Sequence, residues 1–246
     1  MSLTFQEAKL LSTDTPASNS TPNWKRALDL AICALAIPLL LPLMAVIAVT
    51  IKLLSPGSLL FIQTRVGKDG RPFKCFKFRS MRVNADTGVH ENYVKNLIHS
   101  SDKPMTKLDS KGDNRLIPGF GLVRATGLDE LPQLFNVLRG EMSIVGPRPC
   151  MVSEAEEFEP WHRERFRTLP GLTGLWQVSG KNHTTFDQMM RLDIRYAREK
   201  TLRMDLSIVI RTVPALIVQA LETRAKPDSE PGEAPVRGPA APQASN

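Results

Sequence analysis

Residues Ala27–Leu54 read ALDLAICALAIPLLLPLMAVIAVTIKLL, with Asp29 one turn inside the start and Lys52 near the end as their only charges. A straight helix of this length rises about 40 Å at roughly 1.5 Å per residue, enough to cross a hydrocarbon core about 30 Å thick. This is the sole membrane candidate in the sequence. Pro38 and Pro42 sit mid-segment, where each removes a backbone donor and clashes with the preceding turn, so a sharp bend is expected. Lys25-Arg26 precede the stretch and Lys52 closes it, and bases on both flanks favour the cytoplasm for both ends. The expected geometry is a re-entrant helix-break-helix hairpin over 24–54 that dips into one leaflet and returns. A single span, a buried core helix and a cleaved signal peptide ending near Ala34-Leu35-Ala36 are the competing readings.

Outward from this segment the sequence is ordinary. The 246 residues suffice for one large domain or two small ones, with 42% hydrophobic and 23% charged residues. A mean hydropathy of -0.16 is too low for a polytopic membrane protein, so membrane contact is local. The net charge of +7 implies an anionic partner: nucleic acid, anionic lipid or a phosphorylated substrate. Cys33, Cys75 and Cys150 are scattered and odd in number, indicating neither a disulfide framework nor a zinc site. His90, His99, His162 and His183 show no ligand spacing either. Residues 1–23 and 226–246 are rich in Ser, Thr, Pro, Gly and Ala without apolar periodicity, so a disordered arm and a disordered tail are expected to flank the membrane segment and a folded domain over 55–225.

Within that domain, Leu59–Gly67 reads as a short strand, Lys68-Asp69-Gly70-Arg71 as a turn, and Phe73–Arg79 as a second strand. Its alternation predicts a cationic face carrying Lys74 or Lys77 together with Arg79. Asp86 to about Asn114 is polar and weakly helical; helices return over Met151–Phe166 and Phe186–Leu221. Thr126-Gly127-Leu128-Asp129-Glu130-Leu131-Pro132 sets two carboxylates side by side at a helix start. Acids there complement the helix dipole, or they divide catalytic labour, one attacking while the other holds a hard divalent ion. Arg124 and Arg139 flank the pair. In Gly146-Pro147-Arg148-Pro149 two prolines hold one guanidinium in a defined direction, suiting phosphate recognition or a plain rigid connector. Leu169–Asn182 is a Gly-rich loop that either offers Trp176, Gln177, Lys181 and Asn182 to a ligand or is clipped to the core by Trp176.

Taken in order, Lys25-Arg26 with Asp29, Phe76–Met81, Asp113-Asn114-Arg115, Leu128–Leu134, Asn136–Ser143, Val145–Pro149 and Pro170–Val178 resemble the bacterial sugar transferase family, the monotopic phosphoglycosyl transferases. The resemblance covers about Trp24–Leu221. It implies an α+β fold: a mainly helical cytoplasmic domain with a short β element, anchored at the cytoplasmic face of the inner membrane. It also implies an Asp-Glu dyad (Asp129, Glu130), Mg²⁺ held by Glu130, a UDP-sugar donor and a polyprenyl (undecaprenyl) phosphate acceptor. The compact form resembles members that transfer galactose- or glucose-1-phosphate in exopolysaccharide production. By this resemblance Asp129 attacks the sugar-proximal phosphate, expels UMP and carries the phosphosugar to the acceptor. Lys77, Arg79 and Arg124 then position the acceptor phosphate, while Pro147, Arg148, Gln177 and Lys181 serve the donor. The chain departs from the family pattern at four places: Leu41-Pro42 stands for Ser-Pro, Gly127 for Ser, Leu169 for Arg, and Lys181 for Arg. Arg167 is the candidate replacement in the donor loop.

Two other classes compete. A membrane-anchored scaffold would use Asp129-Glu130 only as a helix start. A nucleic-acid binder would explain the net charge, but aromatics are only 6% and form no stacking platform, so no nucleic-acid partner is expected. Membrane lipid is the expected surface, and a homo-oligomer is left open.

Overall fold

In the computed structural model, which describes residues 20–82, 94–100, 103–105, 115–180 and 183–225, the apolar segment forms one helix, α1 (Asn23–Leu54), with Pro38 and Pro42 inside it. The helical pattern is not interrupted at either proline, so the expected helix-break-helix division into two elements is not seen. Only six residues of α1 are buried, and they fall in two groups: Lys25, Asp29 and Cys33, then Met44, Ile47 and Ile51. Within each group the spacing is three or four, so one side of each end faces protein. Between them Leu35, Leu39, Leu41 and Leu43 are exposed.

Both ends of α1 rest on the same domain. Cys33 joins Phe73, Cys75, Leu134, Val137 and Met142 in one cluster, and Met44, Ile47 and Ile51 join Phe78, Ile117 and Phe120 in another. A core helix buries most of its surface, so the exposed middle sets that reading aside for α1. The first helical turn is held by polar bonds. Lys25 Nζ donates to Asp205 at 2.7 Å, to the Tyr196 hydroxyl at 2.8 Å and to the Val145 carbonyl at 2.8 Å. Asp29 accepts from the Ser143 hydroxyl at 2.8 Å and the Ile144 amide at 2.9 Å; burial nevertheless lifts its carboxyl above the usual range against these bonds and the Lys25 charge.

After α1 come β1 (Leu60–Val66) and β2 (Pro72–Phe78), antiparallel with Leu60 opposite Phe78. The turn between them uses Asp69 at φ 57°, a left-handed conformation that Asp tolerates. Then follow α2 (Phe120–Ala125), a 3₁₀ turn at Leu128–Glu130, α3 (Gln133–Arg139), β3 (Ser143–Val145), β4 (Cys150–Met151), α4 (Val152–Glu156), a 3₁₀ segment at Pro160–Arg167, β5 (Gly171–Thr173), α5 (Phe186–Glu199) and α6 (Leu202–Ala225). β1 is central between β2 and β4; β3 and β5 form a separate parallel pair. The fold is therefore α+β and mainly helical, as expected. On α6, Ile210, Val213 and Ile217 lie exposed. The expected arm and tail, apart from residues 20–23, and most of 86–114 lie outside the described residues.

Candidate active site

Alternation along β2 decides which bases share a face. Phe73 and Cys75 are buried in the core, so Lys77 and Arg79 follow on their side while Lys74 is exposed on the other. The two bases do different work. Lys77 Nζ meets Glu130 Oε1 at 2.7 Å, with side-chain exposures of 23% and 37%. Arg79 is buried and donates to the Pro56 and Ser55 carbonyls at 2.7 and 2.8 Å, closing the end of α1, while its Nε has no partner.

Glu130 and the buried Asp129 belong to the 3₁₀ turn that leads into α3. Gly127 before them has φ 74° and C=O bonded to the Glu130 amide at 2.9 Å. A serine there would adopt this left-handed conformation at a cost, so the glycine departure suits the turn. Leu128 and Leu131 on either side of the acids pack on the cluster containing Met44, Ile47 and Ile51. The two carboxylates are thus flanked by leucines seated in the cluster that also holds the second half of α1. Arg124 Nη1 lies 3.5 Å from the Ser80 hydroxyl, beside the end of β2.

Arg148 completes the group from another direction. Burial works against its charge, but Glu154 and then Glu130 outweigh this and raise its pKa, so Arg148 stands in the field of Glu130. Its guanidinium is 3.7 Å from Glu154 and keeps 32% of its side-chain surface exposed. The backbone on either side is fixed. Arg165 donates to the Arg148 carbonyl at 2.8 Å, Arg65 to the Pro149 carbonyl at 3.2 Å, and the Gly171 amide to the Pro147 carbonyl at 2.8 Å.

The glycines of the 170–174 loop serve this same fixation. A Cβ on Gly171 would overlap the Gly146 amide, and one on Gly174 would overlap the Gly146 carbonyl. The close approach they permit is therefore to the backbone of the Pro-Arg-Pro segment. Trp176 is buried in the core with its indole N–H on Thr184 at 2.6 Å, and Gln177 donates to the Leu172 carbonyl at 3.3 Å. Of the predicted site residues, Lys77 and Glu130 come together, Asp129 adjoins Glu130 in the turn, and Arg148 lies within electrostatic reach of Glu130. Arg124 sits nearby, Arg79 turns to α1, Pro147 and Gln177 lie in the backbone crossing, and Lys181 lies outside the described residues. Sequence reading gave no role to Arg65, Arg165, Glu154 or Asp193, although Arg165 and Asp193 form a buried pair at 2.6 Å.

Among the described residues no three His, Cys, Asp or Glu side chains gather into an all-protein metal cage. Two adjacent carboxylates do fit a hard divalent ion that takes one or two protein oxygens and fills its shell with phosphate oxygens and water.

The family model described as bacterial sugar transferase matches residues 20–219. The exopolysaccharide production protein ExoY of Sinorhizobium fredii is 38% identical over 192 residues, covering 78% of this chain and 84% of that protein. A UDP-glucose:undecaprenyl-phosphate glucose-1-phosphate transferase of Caulobacter vibrioides is 40% identical over 201 residues, covering 78% and 69% respectively. One of the same name in Escherichia coli K12 is 37% identical over 208 residues, covering 81% of this chain and 41% of that longer protein.

Proposed function

The chain belongs to the bacterial sugar transferase family, and from that premise we propose that it is a phosphoglycosyl transferase that moves a sugar-1-phosphate from a UDP-sugar to undecaprenyl phosphate, releasing UMP, in exopolysaccharide assembly. The observation that carries the reading is that Leu128 and Leu131, flanking Asp129 and Glu130, pack on the apolar cluster to which α1 contributes Met44, Ile47 and Ile51, while Glu130 pairs with Lys77. An acceptor phosphate cannot leave the headgroup region, so its reaction centre has to sit where a membrane element meets a polar site.

In this mechanism an Asp129 oxygen attacks the sugar-proximal phosphorus, the bond to the UMP oxygen breaks, and UMP departs with the electron pair. An oxygen of the polyprenyl phosphate then attacks the same phosphorus and returns Asp129 to its carboxylate. Glu130 would hold Mg²⁺, which supplies neutralisation of phosphate charge when bound. Lys77 and Arg124 hold the acceptor phosphate, and Arg148 with the Pro147 backbone takes the nucleotide half. Arg79 acts one step back, fixing the end of α1 from which the acceptor is presented.

The contacts of both α1 ends with one domain support a monotopic arrangement with both flanks on the cytoplasmic face of the inner membrane. A span would separate Lys25 from the residues that Met44 to Ile51 pack on. Pro38 and Pro42 lie in the exposed middle, where the bend of a re-entrant helix is expected. The reaction is tested by supplying detergent-purified protein with UDP-glucose or UDP-galactose and undecaprenyl phosphate. Release of UMP in step with lipid-linked sugar is expected. Release of UDP, or of no nucleotide from any UDP-sugar, rejects it.

A further inference from the structure

β2 is an edge strand. Its inner side pairs with β1, and among the described residues the other edge has no strand partner. A free edge leaves backbone groups to be satisfied, and here one side chain takes them. The Phe76 amide donates to Asn136 Oδ1 at 3.1 Å, and Asn136 Nδ2 donates to the Lys74 carbonyl at 2.7 Å. The second Nδ2 hydrogen goes to Glu141 Oε2 at 2.6 Å. The Asn136 carbonyl accepts from the Glu141 and Met142 amides at 3.0 and 3.3 Å, where the chain leaves α3 at Gly140. Asn136 is wholly buried.

The amide thus does the work of one residue of a neighbouring strand, and it does so from the helix that follows the dyad. The same two elements are bridged once more, by Lys77 and Glu130. Lys77 is the residue after Phe76, and Glu130 precedes α3. A rotation or slip of α3 against β2 would therefore change the Lys77–Glu130 distance directly. Few residues could replace the asparagine: aspartate has no donor and would set a charge against the Lys74 carbonyl and Glu141, and serine cannot reach both edge groups.

We propose that Asn136 is a positioning residue for the transfer reaction, clamping α3 to the free edge of β2 so that Lys77 and Glu130 are held at working distance. This rests on the transferase reading. If it holds, Asn136→Ser lowers kcat by about tenfold per folded molecule while changing KM for the UDP-sugar less than threefold. In a Lys77→Met background the same change costs less than threefold further, because the bridge it serves is already absent. Asn136→Asp, isosteric but lacking the donors, reproduces the loss. Additive effects, or a lowered melting temperature with kcat per folded molecule unchanged, overturn the proposal.

A second arm does not depend on turnover. Acylation of Lys77 by an amine-reactive reagent, read by mass spectrometry, should accelerate at least threefold in Asn136→Ser while buried Lys25 stays unmodified. Unchanged Lys77 reactivity removes the clamp even if the wild-type enzyme is active. Accelerated acylation in a protein that releases no UMP keeps the clamp and removes the reaction.

Discussion

Two lysines each face one carboxylate at 2.7 Å, and the similarity ends there. Lys25 and Asp205 have side-chain exposures of 0% and 1%, whereas Lys77 and Glu130 keep 23% and 37%. The first pair is saturated: Tyr196 donates to Asp205 at 2.7 Å, and the Val145 carbonyl takes a further bond from Lys25. Its desolvation is offset by bonds on every side, which makes it a tether between α1 and the domain. The second pair keeps a face open to solvent and so can exchange its partner for a phosphate or a metal ion. Equal bond lengths therefore hide opposite uses, and exposure separates them.

The largest effect that tests this contrast is Lys25→Met. It leaves Asp205 buried without its cation, which typically costs about 3–5 kcal/mol. Thermal melting in detergent should show a collapse of stability, with activity falling only as folded protein is lost. Glu130→Gln comes next, on activity alone: a drop of about a hundredfold in turnover at fixed Mg²⁺, with a rightward-shifted Mg²⁺ titration, since the carboxylate proposed to hold the metal is gone. An unchanged titration removes Glu130 as the ligand. Lys77→Met should lower kcat/KM about tenfold while costing at most about 1 kcal/mol of stability, as expected of a partly exposed pair. A large loss of stability in this variant would make the two pairs alike and break the comparison.

Smaller still is the response of the native thiols. Cys33, Cys75 and Cys150 are all buried, and burial pushes Cys150 up to about 12 despite the neighbouring Arg165, Arg65 and Arg148 charges. The raised value means less thiolate at any pH below it. Maleimide labelling of the folded protein at pH 8 should be negligible and should appear only in denaturant. The same inertness clears the background for topology. In a chain carrying Ser12→Cys, an impermeant thiol reagent applied to intact cells should give no label; labelling from outside would place the arm across the membrane and make α1 a single span.

Much of this was legible in the sequence for a physical reason. Hydrophobic length exposes α1, and alternation exposes β2, because each is a local pattern. The dyad stood out as paired acids at a turn, and the family resemblance supplied their roles. Lys25 was legible only as a flanking charge; that it is buried depends on Asp205 and Tyr196, which lie 180 and 171 residues away. The glycines of 171 and 174 read as room for a ligand, whereas the space is taken by the Gly146 backbone, a contact between strands that no local pattern encodes. Asn136, inside Leu134-Phe135-Asn136-Val137-Leu138, entered the sequence reading only as the start of a family motif; its role depends on the neighbouring strand edge. Arg79 followed the cationic alternation of β2, yet its donors serve carbonyls at the end of α1.

The central claim is that the open pair marks a site where Asp129 carries the phosphosugar. Its most direct measurement is intact-protein and peptide mass spectrometry after brief incubation with UDP-sugar and Mg²⁺, acid-quenched, without undecaprenyl phosphate. One added sugar phosphate is expected on the peptide containing Asp129, chased off by undecaprenyl phosphate and absent in Asp129→Asn. An unmodified Asp129 peptide in enzyme that is turning over, or UMP release at the wild-type rate by Asp129→Asn, would contradict it.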